Sequence, residues 1–162
     1  MIRLPCVILT IIIGTIIGTA LASAGANARN MWYEADTDAR MHRTRNRPIP
    51  TGRLTRRETA KAGVWLSIAG IVLTMLLAGT AASLICLLCI ASYVLIYTPL
   101  KTRTIWNTLL GTIPGALPPM IGAAAATEGM GPARLNSPVG WSLLALMHVW
   151  QIPHIHAIAR LH

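Results

Sequence analysis

Asn30, Glu34 and Asp38 stand at four-residue intervals at the end of a long apolar run, and a dense basic stretch follows them. Ionisable groups in a segment otherwise suited to lipid are costly unless they hold a cation, pair with one another or face a polar substrate. Carboxylate and amide oxygens are hard ligands that suit Mg²⁺, an ion completed by waters and substrate phosphates rather than by a full protein cage. Asn30, Glu34 and Asp38 would supply the protein share of such a site. Arg43, Arg47 and Lys101 would bring positive charge to phosphate oxygens, the arginines through paired hydrogen bonds and the lysine as a point charge. This combination predicts a diphosphate leaving group activated by a metal. Departure of diphosphate from an allylic substrate leaves a carbocation, which an apolar helical cavity would shield from water. On these residues alone the alternative is an ion-pair network at a membrane surface.

Residues of this kind need a helix to hold them. At 3.6 residues per turn each step of four advances about 40°, so the three polar residues share roughly 80° of one face. Asp36 then points well away from them. The same spacing runs back through Gly14, Gly18, Ala22 and Ala26, a stripe of small residues that lets another helix approach closely. It could equally serve self-association.

The 162-residue chain is 54% hydrophobic and contains no Phe, and its mean hydropathy is positive. Runs of roughly 17 to 25 apolar residues cross a bilayer as helix, because lipid offers no partner to backbone polar groups. Five stretches are long enough: 4–28, 62–79, 81–98, 106–126 and 139–159. The expected fold is all-α, a polytopic transmembrane bundle of about five spans. The first stretch begins like a cleaved signal peptide, but its apolar run exceeds the usual ~7 to 15 residues.

The formal charge of +9 is unevenly placed, with nine of the basic residues between Arg29 and Lys61. The connection 99–105 adds Lys101 and Arg103, whereas 127–138 carries only Arg134. With five spans both basic connections fall on one side, which the positive-inside rule makes cytoplasmic or the equivalent matrix side. The basic block also suits anionic lipid headgroups. Nucleic acid is excluded as a partner, because these residues sit between spans without an aromatic stacking platform.

Between the spans, Pro48, Pro50 and Gly52 interrupt any helix, so ARMHRTRNRPIPTGRLTRRE reads as a surface loop, with Glu58 or Thr59 starting the second helix. The fourth span holds Asn107, Gly111, Pro114, Gly115, Pro118, Pro119 and Gly122 within sixteen residues. It is either a broken helix lining a cavity or a kinked span. The fifth collects His148, Trp150, Gln151, Pro153, His154 and His156, functional candidates in an apolar segment. Cys86 and Cys89 form a CxxC inside the third span, where neither zinc nor redox chemistry finds accessible thiolates.

Three ordered stretches carry a resemblance: NMWYEADTDARMHRTRNRPIPTGR (30–53), YTPLKTRTIWNTLLGTIPGALPPMIG (97–122) and WQIPH (150–154). Together they resemble the UbiA-type intramembrane prenyltransferases, and within them the branch that farnesylates protohaem IX. The resemblance implies an all-helical membrane enzyme that moves a farnesyl group from farnesyl diphosphate to a vinyl group of haem b, with water adding to give haem O. By position, Asn30, Glu34 and Asp38 match the first metal-diphosphate motif, Glu34 standing where relatives often have Asp. Arg43 and Arg47 match its basic follow-on, Lys101 the basic residue before the fourth span, and His154 a haem-side residue. Mg²⁺ is the implied cofactor, and farnesyl diphosphate, haem b and the lipid bilayer are the implied partners. Location in the cell inner membrane, with the acidic cluster on the cytoplasmic face, follows. Members of this family have about nine spans, so the resemblance also implies a single prenyltransferase domain over 1–162 without the preceding helix and the second Asp-rich motif. Two other readings stay open: a sister enzyme with a quinone or chlorophyll-precursor acceptor, and a non-catalytic haem-binding membrane protein.

Overall fold

A computed structural model of the chain describes residues 3–161 other than 102, 105 and 128–136. It is all-helical among these residues: α1 (Arg3–Arg40), α2 (Arg56–Ala78), α3 (Thr80–Ala91), a π-helical segment (Ser92–Tyr97), α4 (Thr98–Leu100), α5 (Asn107–Ala116), α6 (Pro118–Ala126) and α7 (Pro138–Leu161). Arg134, the basic residue of the connection before α7, lies outside the described residues.

The first helix does persist past its apolar part, through the polar triplet to Arg40, whose cationic side chain sits in the last turn where the helix dipole favours it. The chain then folds through turns. The Thr44 hydroxyl donates to the Asp38 carbonyl (3.1 Å), tying the loop to the helix end. Helix α2 starts earlier than Glu58 or Thr59. Thr55 caps it and Glu58 closes a capping box, the T-x-x-E pattern that satisfies two otherwise unpaired N–H groups at a helix start. Gly79, at φ 95°, is the whole connection between α2 and α3; a left-handed residue there reverses the chain at no steric cost.

The small-residue stripe has a partner within the chain. Gly63, Ser67, Gly70, Thr74 and Ala78 form a matching buried row on α2. A Cβ on Gly70 would stand 2.6 Å from the Gly18 carbonyl oxygen, and one on Gly25 would stand 2.7 Å from that of Gly63. Backbones this close gain dispersion contacts that bulkier side chains would forbid. Within the chain the stripe is thus covered by α2. Helix α3 packs on α6, and α7 packs on α5 and α6, around a core rich in small side chains such as Ala82, Cys86, Ala124 and Ala125.

Two backbone irregularities shape the interior. At the π-helical segment the Thr98 N–H reaches back to the Tyr93 carbonyl, one residue further than in an α-helix, and Pro99 offers no N–H to restore the ladder. The fourth span is interrupted at Leu117, but that residue keeps right-handed helical angles (φ −73°, ψ −30°). It is kinked by Pro118 rather than split into re-entrant halves.

Among the described residues four helices are long and apolar enough to cross a membrane: Leu4–Arg40, Arg56–Ala78, Thr80–Leu100 and Asn107–Ala126. The expected fifth, α7, has the length at 24 residues but is not among them; His148, Gln151, His154 and His156 dilute its apolar character. The chain is a multi-pass membrane protein.

Candidate active site

The π-helical turn and the reversal at Gly79 bring the end of α3 back beside the end of α1, and the loop between α1 and α2 folds over both. Asn30, Glu34, Asp38, Arg47 and Lys101 meet there. Arg47 Nη1 lies 2.7 Å from Asp38 Oδ2 and 3.7 Å from Glu34 Oε2. Lys101 Nζ lies 2.5 Å from Glu34 Oε1 and donates to Asn30 Oδ1 at 3.0 Å. Asn30 in turn donates from Nδ2 to Glu34 Oε2 at 2.9 Å, so each polar group has a partner and the pairs form one network. Asn30 and Asp38 are buried, at 7% and 3% exposure. Charges at such depth are tolerated when they are paired and hydrogen-bonded.

The supporting residues explain the aim of each side chain. The Thr98 hydroxyl donates to the Tyr93 carbonyl (2.8 Å) and stands 3.3 Å from Asn30 Oδ1. Asn107 Nδ2 donates to the Lys101 carbonyl (3.1 Å), and the ammonium of Lys101 sits 5.7 Å from the centre of the Tyr97 ring. In the loop, Arg47 is held by its backbone: its N–H donates to the Thr44 carbonyl (3.0 Å), and its own carbonyl accepts from Thr51 N (3.2 Å). Asp36 sits outside the cluster, paired with Arg56, as the helical spacing predicts.

Not every candidate joins. Arg43 is exposed and outside the network. His154 is exposed and stacks on Trp150, ring centres 4.4 Å apart. His156 is exposed, with its Nδ1 2.8 Å from the Ile152 carbonyl. His148 is half-buried.

Beside the cluster an apolar cavity of about 650 Å³ extends between α1, α3, the π-helical segment, α5, α6 and α7, lined among others by Ile16, Asn27, Ile90, Tyr97, Pro114 and Gln151. Its volume is that of a site for a small ligand or cofactor. Asn27, Tyr93 and Tyr97 belong to both surroundings: the Tyr93 hydroxyl stands 3.5 Å from Asn27 Oδ1, and Tyr97 lies beneath Lys101. A charged head and an apolar tail could be held together here. From α7, Gln151 and Ile155 line the cavity, and His154 does not. The sequence contained the signal for Gln151, an amide in the middle of an apolar helix, without a way to tell which side it faced.

The oxygens gathered here are hard donors, of the type that magnesium takes. One carboxylate oxygen each of Glu34 and Asp38 faces the same arginine nitrogen, so the two acids converge on a point that already holds positive charge. No group of three or more His, Cys, Asp or Glu side chains stands together among the described residues. The two carboxylates and the Asn30 amide oxygen would therefore be a partial ligand set, of the kind that phosphate oxygens and waters complete.

The model of the UbiA prenyltransferase family matches residues 5–162. The chain belongs to the UbiA prenyltransferase family. It is 44% identical over 145 residues to a protoheme IX farnesyltransferase of Solibacter usitatus (strain Ellin6076), covering 90% of this chain and 48% of that protein. The enzyme of the same name from Sorangium cellulosum (strain So ce56) is 41% identical over 86% of this chain and 48% of its own length. That of Myxococcus xanthus (strain DK1622) is 42% identical over 86% and 47%. The chain spans about half the length of these curated relatives. No solved structure matches it.

Proposed function

We propose that this UbiA family member is a protohaem IX farnesyltransferase, taking farnesyl diphosphate as donor and a vinyl group of haem b as acceptor to give haem O and diphosphate. The observation that carries the reading is the junction of a paired carboxylate and cation cluster with an apolar cavity of about 650 Å³. The names of the relatives supply the acceptor.

Arg47 and Lys101 would take the diphosphate oxygens, exchanging their present carboxylate partners for phosphate. Lys101 acts as a point charge over Tyr97, and Arg47 through its planar fork. Glu34, Asp38 and Asn30 would hold Mg²⁺, which when bound neutralises charge on the diphosphate and makes it a better leaving group. Asn30 keeps the Lys101 ammonium and the Glu34 carboxylate in register through its two hydrogen bonds. The cavity walls receive the isoprenoid chain and exclude bulk water from the allylic carbon. The cluster lies on the cytoplasmic side of the cell inner membrane, beside the basic loop.

The test is Asp38→Asn, assayed in membranes by haem extraction and chromatography. Haem O formation is expected to be abolished while membrane insertion is kept. Undiminished product would remove Asp38 from the chemistry.

A further inference from the structure

The side-chain amide oxygen of Gln151 is buried without a hydrogen-bond partner among the described residues. Gln151 also lines the apolar cavity. The amide is seated there by a missing side chain: a Cβ on Gly115 would overlap it, just as a Cβ on Gly111 would stand 2.8 Å from the Tyr97 ring. Those two glycines are one turn apart on α5, so the amide lies about 6 Å along the helix from the tyrosine beneath Lys101. A lone acceptor in an apolar wall is costly unless something donates to it. A single ordered water donating to it would satisfy it.

We infer that Gln151 is a water-positioning residue, whose amide oxygen holds the one water that adds to the substrate after the prenyl group is transferred. The inference rests on the farnesyl-transfer reading above. In that reaction the bond between the allylic carbon and oxygen breaks with its electron pair leaving on diphosphate. The vinyl π pair then forms the new carbon–carbon bond, which leaves a cation on the vinyl carbon nearest the porphyrin. Two fates are open to it: a proton is lost to give an alkene, or a water oxygen donates a lone pair and gives an alcohol, its spare proton passing to the departed diphosphate. A water donating one hydrogen to Gln151 keeps an oxygen lone pair free for that carbon. The cavity otherwise keeps water away, so this amide selects between the two products.

The experiment incubates membranes holding the protein with farnesyl diphosphate and haem b, and separates farnesylated haems by mass. The wild-type protein is expected to give the alcohol. In Gln151→Leu the ratio of alcohol to alkene should fall by about tenfold, the equivalent of one hydrogen bond in a dry site. Gln151→Glu, which keeps an acceptor oxygen at the same reach, should restore it, and Gly115→Ala, which displaces the amide, should lower it. An unchanged ratio in Gln151→Leu, with product still forming, would overturn the water role and leave farnesyl transfer standing. If Gln151→Leu yields no folded protein, Gly115→Ala decides, and an unchanged ratio there overturns the proposal. Absence of any farnesylated haem with the wild-type protein would overturn both readings.

Discussion

At the scale of single residues, the acids and bases of this chain are sorted by partner rather than by type. Lys101 touches Glu34 and Asn30, and Arg47 touches Asp38 and Glu34, while Arg43, from the same basic run, is exposed. Unequal effects on farnesyl diphosphate binding are therefore expected. Lys101→Gln and Arg47→Gln should each weaken it by about 10-fold or more, the worth of a lost charge-assisted hydrogen bond. Arg43→Gln should change it less than about 2-fold, as for a surface charge. Isotope-labelled farnesyl diphosphate binding to membranes measures all three, and equal losses would contradict the sorting. The acidic triplet was legible in the sequence because helix periodicity acts on near neighbours, and it separated Asp36 from Asp38 correctly. Choosing Arg47 over Arg43 was not legible. The loop conformation that selects it depends on Pro48 and on bonds from Thr44 and Thr51, which no periodic pattern encodes.

At the scale of elements, the site depends on how closely α1 and α2 approach and on where α3 ends. Gly70→Leu would force side-chain atoms into the backbone of α1 near Gly18 and Ala22. It should lower thermal stability in detergent far more than Leu76→Ala on the exposed face, and comparable melting of the two variants would sink the close-packing account. Thr55→Ala, by contrast, removes a cap and should cost about 1 kcal/mol, read as a small shift in the same melting curve. One half of this interface was plain in the sequence, as the four-residue spacing of Gly14, Gly18, Ala22 and Ala26. The matching row on α2 was harder to see, since Ser67 and Thr74 alternate with glycines and break a single-residue-type pattern. The π-helical turn left only Pro99 as a trace, because an extra residue per turn arises from packing and from a missing donor together.

At the scale of the molecule, successive reversals return the chain to the same membrane face, so the loop holding Arg47 and the segment holding Lys101 meet although they are far apart in sequence. The basic residues predicted this shared side, since charge asymmetry between loops is a property of composition. Cysteines placed at Arg45 and Arg103, in a protein with Cys6 replaced by Ser, should react with an impermeant thiol reagent from the cytoplasmic side only. One at Thr80 should react from the opposite side, and labelling of Arg45→Cys and Thr80→Cys from one side would contradict the topology. The cavity, in contrast, was invisible before the helices were assembled, because its wall is shared by α1, α3, the π-helical segment, α5, α6 and α7, and no local periodicity encodes how they meet.

The proposed function seats the diphosphate head at Asp38, Arg47 and Lys101 and the isoprenoid tail in the cavity. A farnesyl diphosphate analogue with a photoreactive group on its last isoprene unit tests it directly. Labelling is expected at cavity residues such as Ile90 and Ile121, prevented by excess farnesyl diphosphate and lost in Asp38→Asn. Labelling confined to lipid-facing residues such as Leu84 and Leu146, or unaffected by Asp38→Asn, would contradict it.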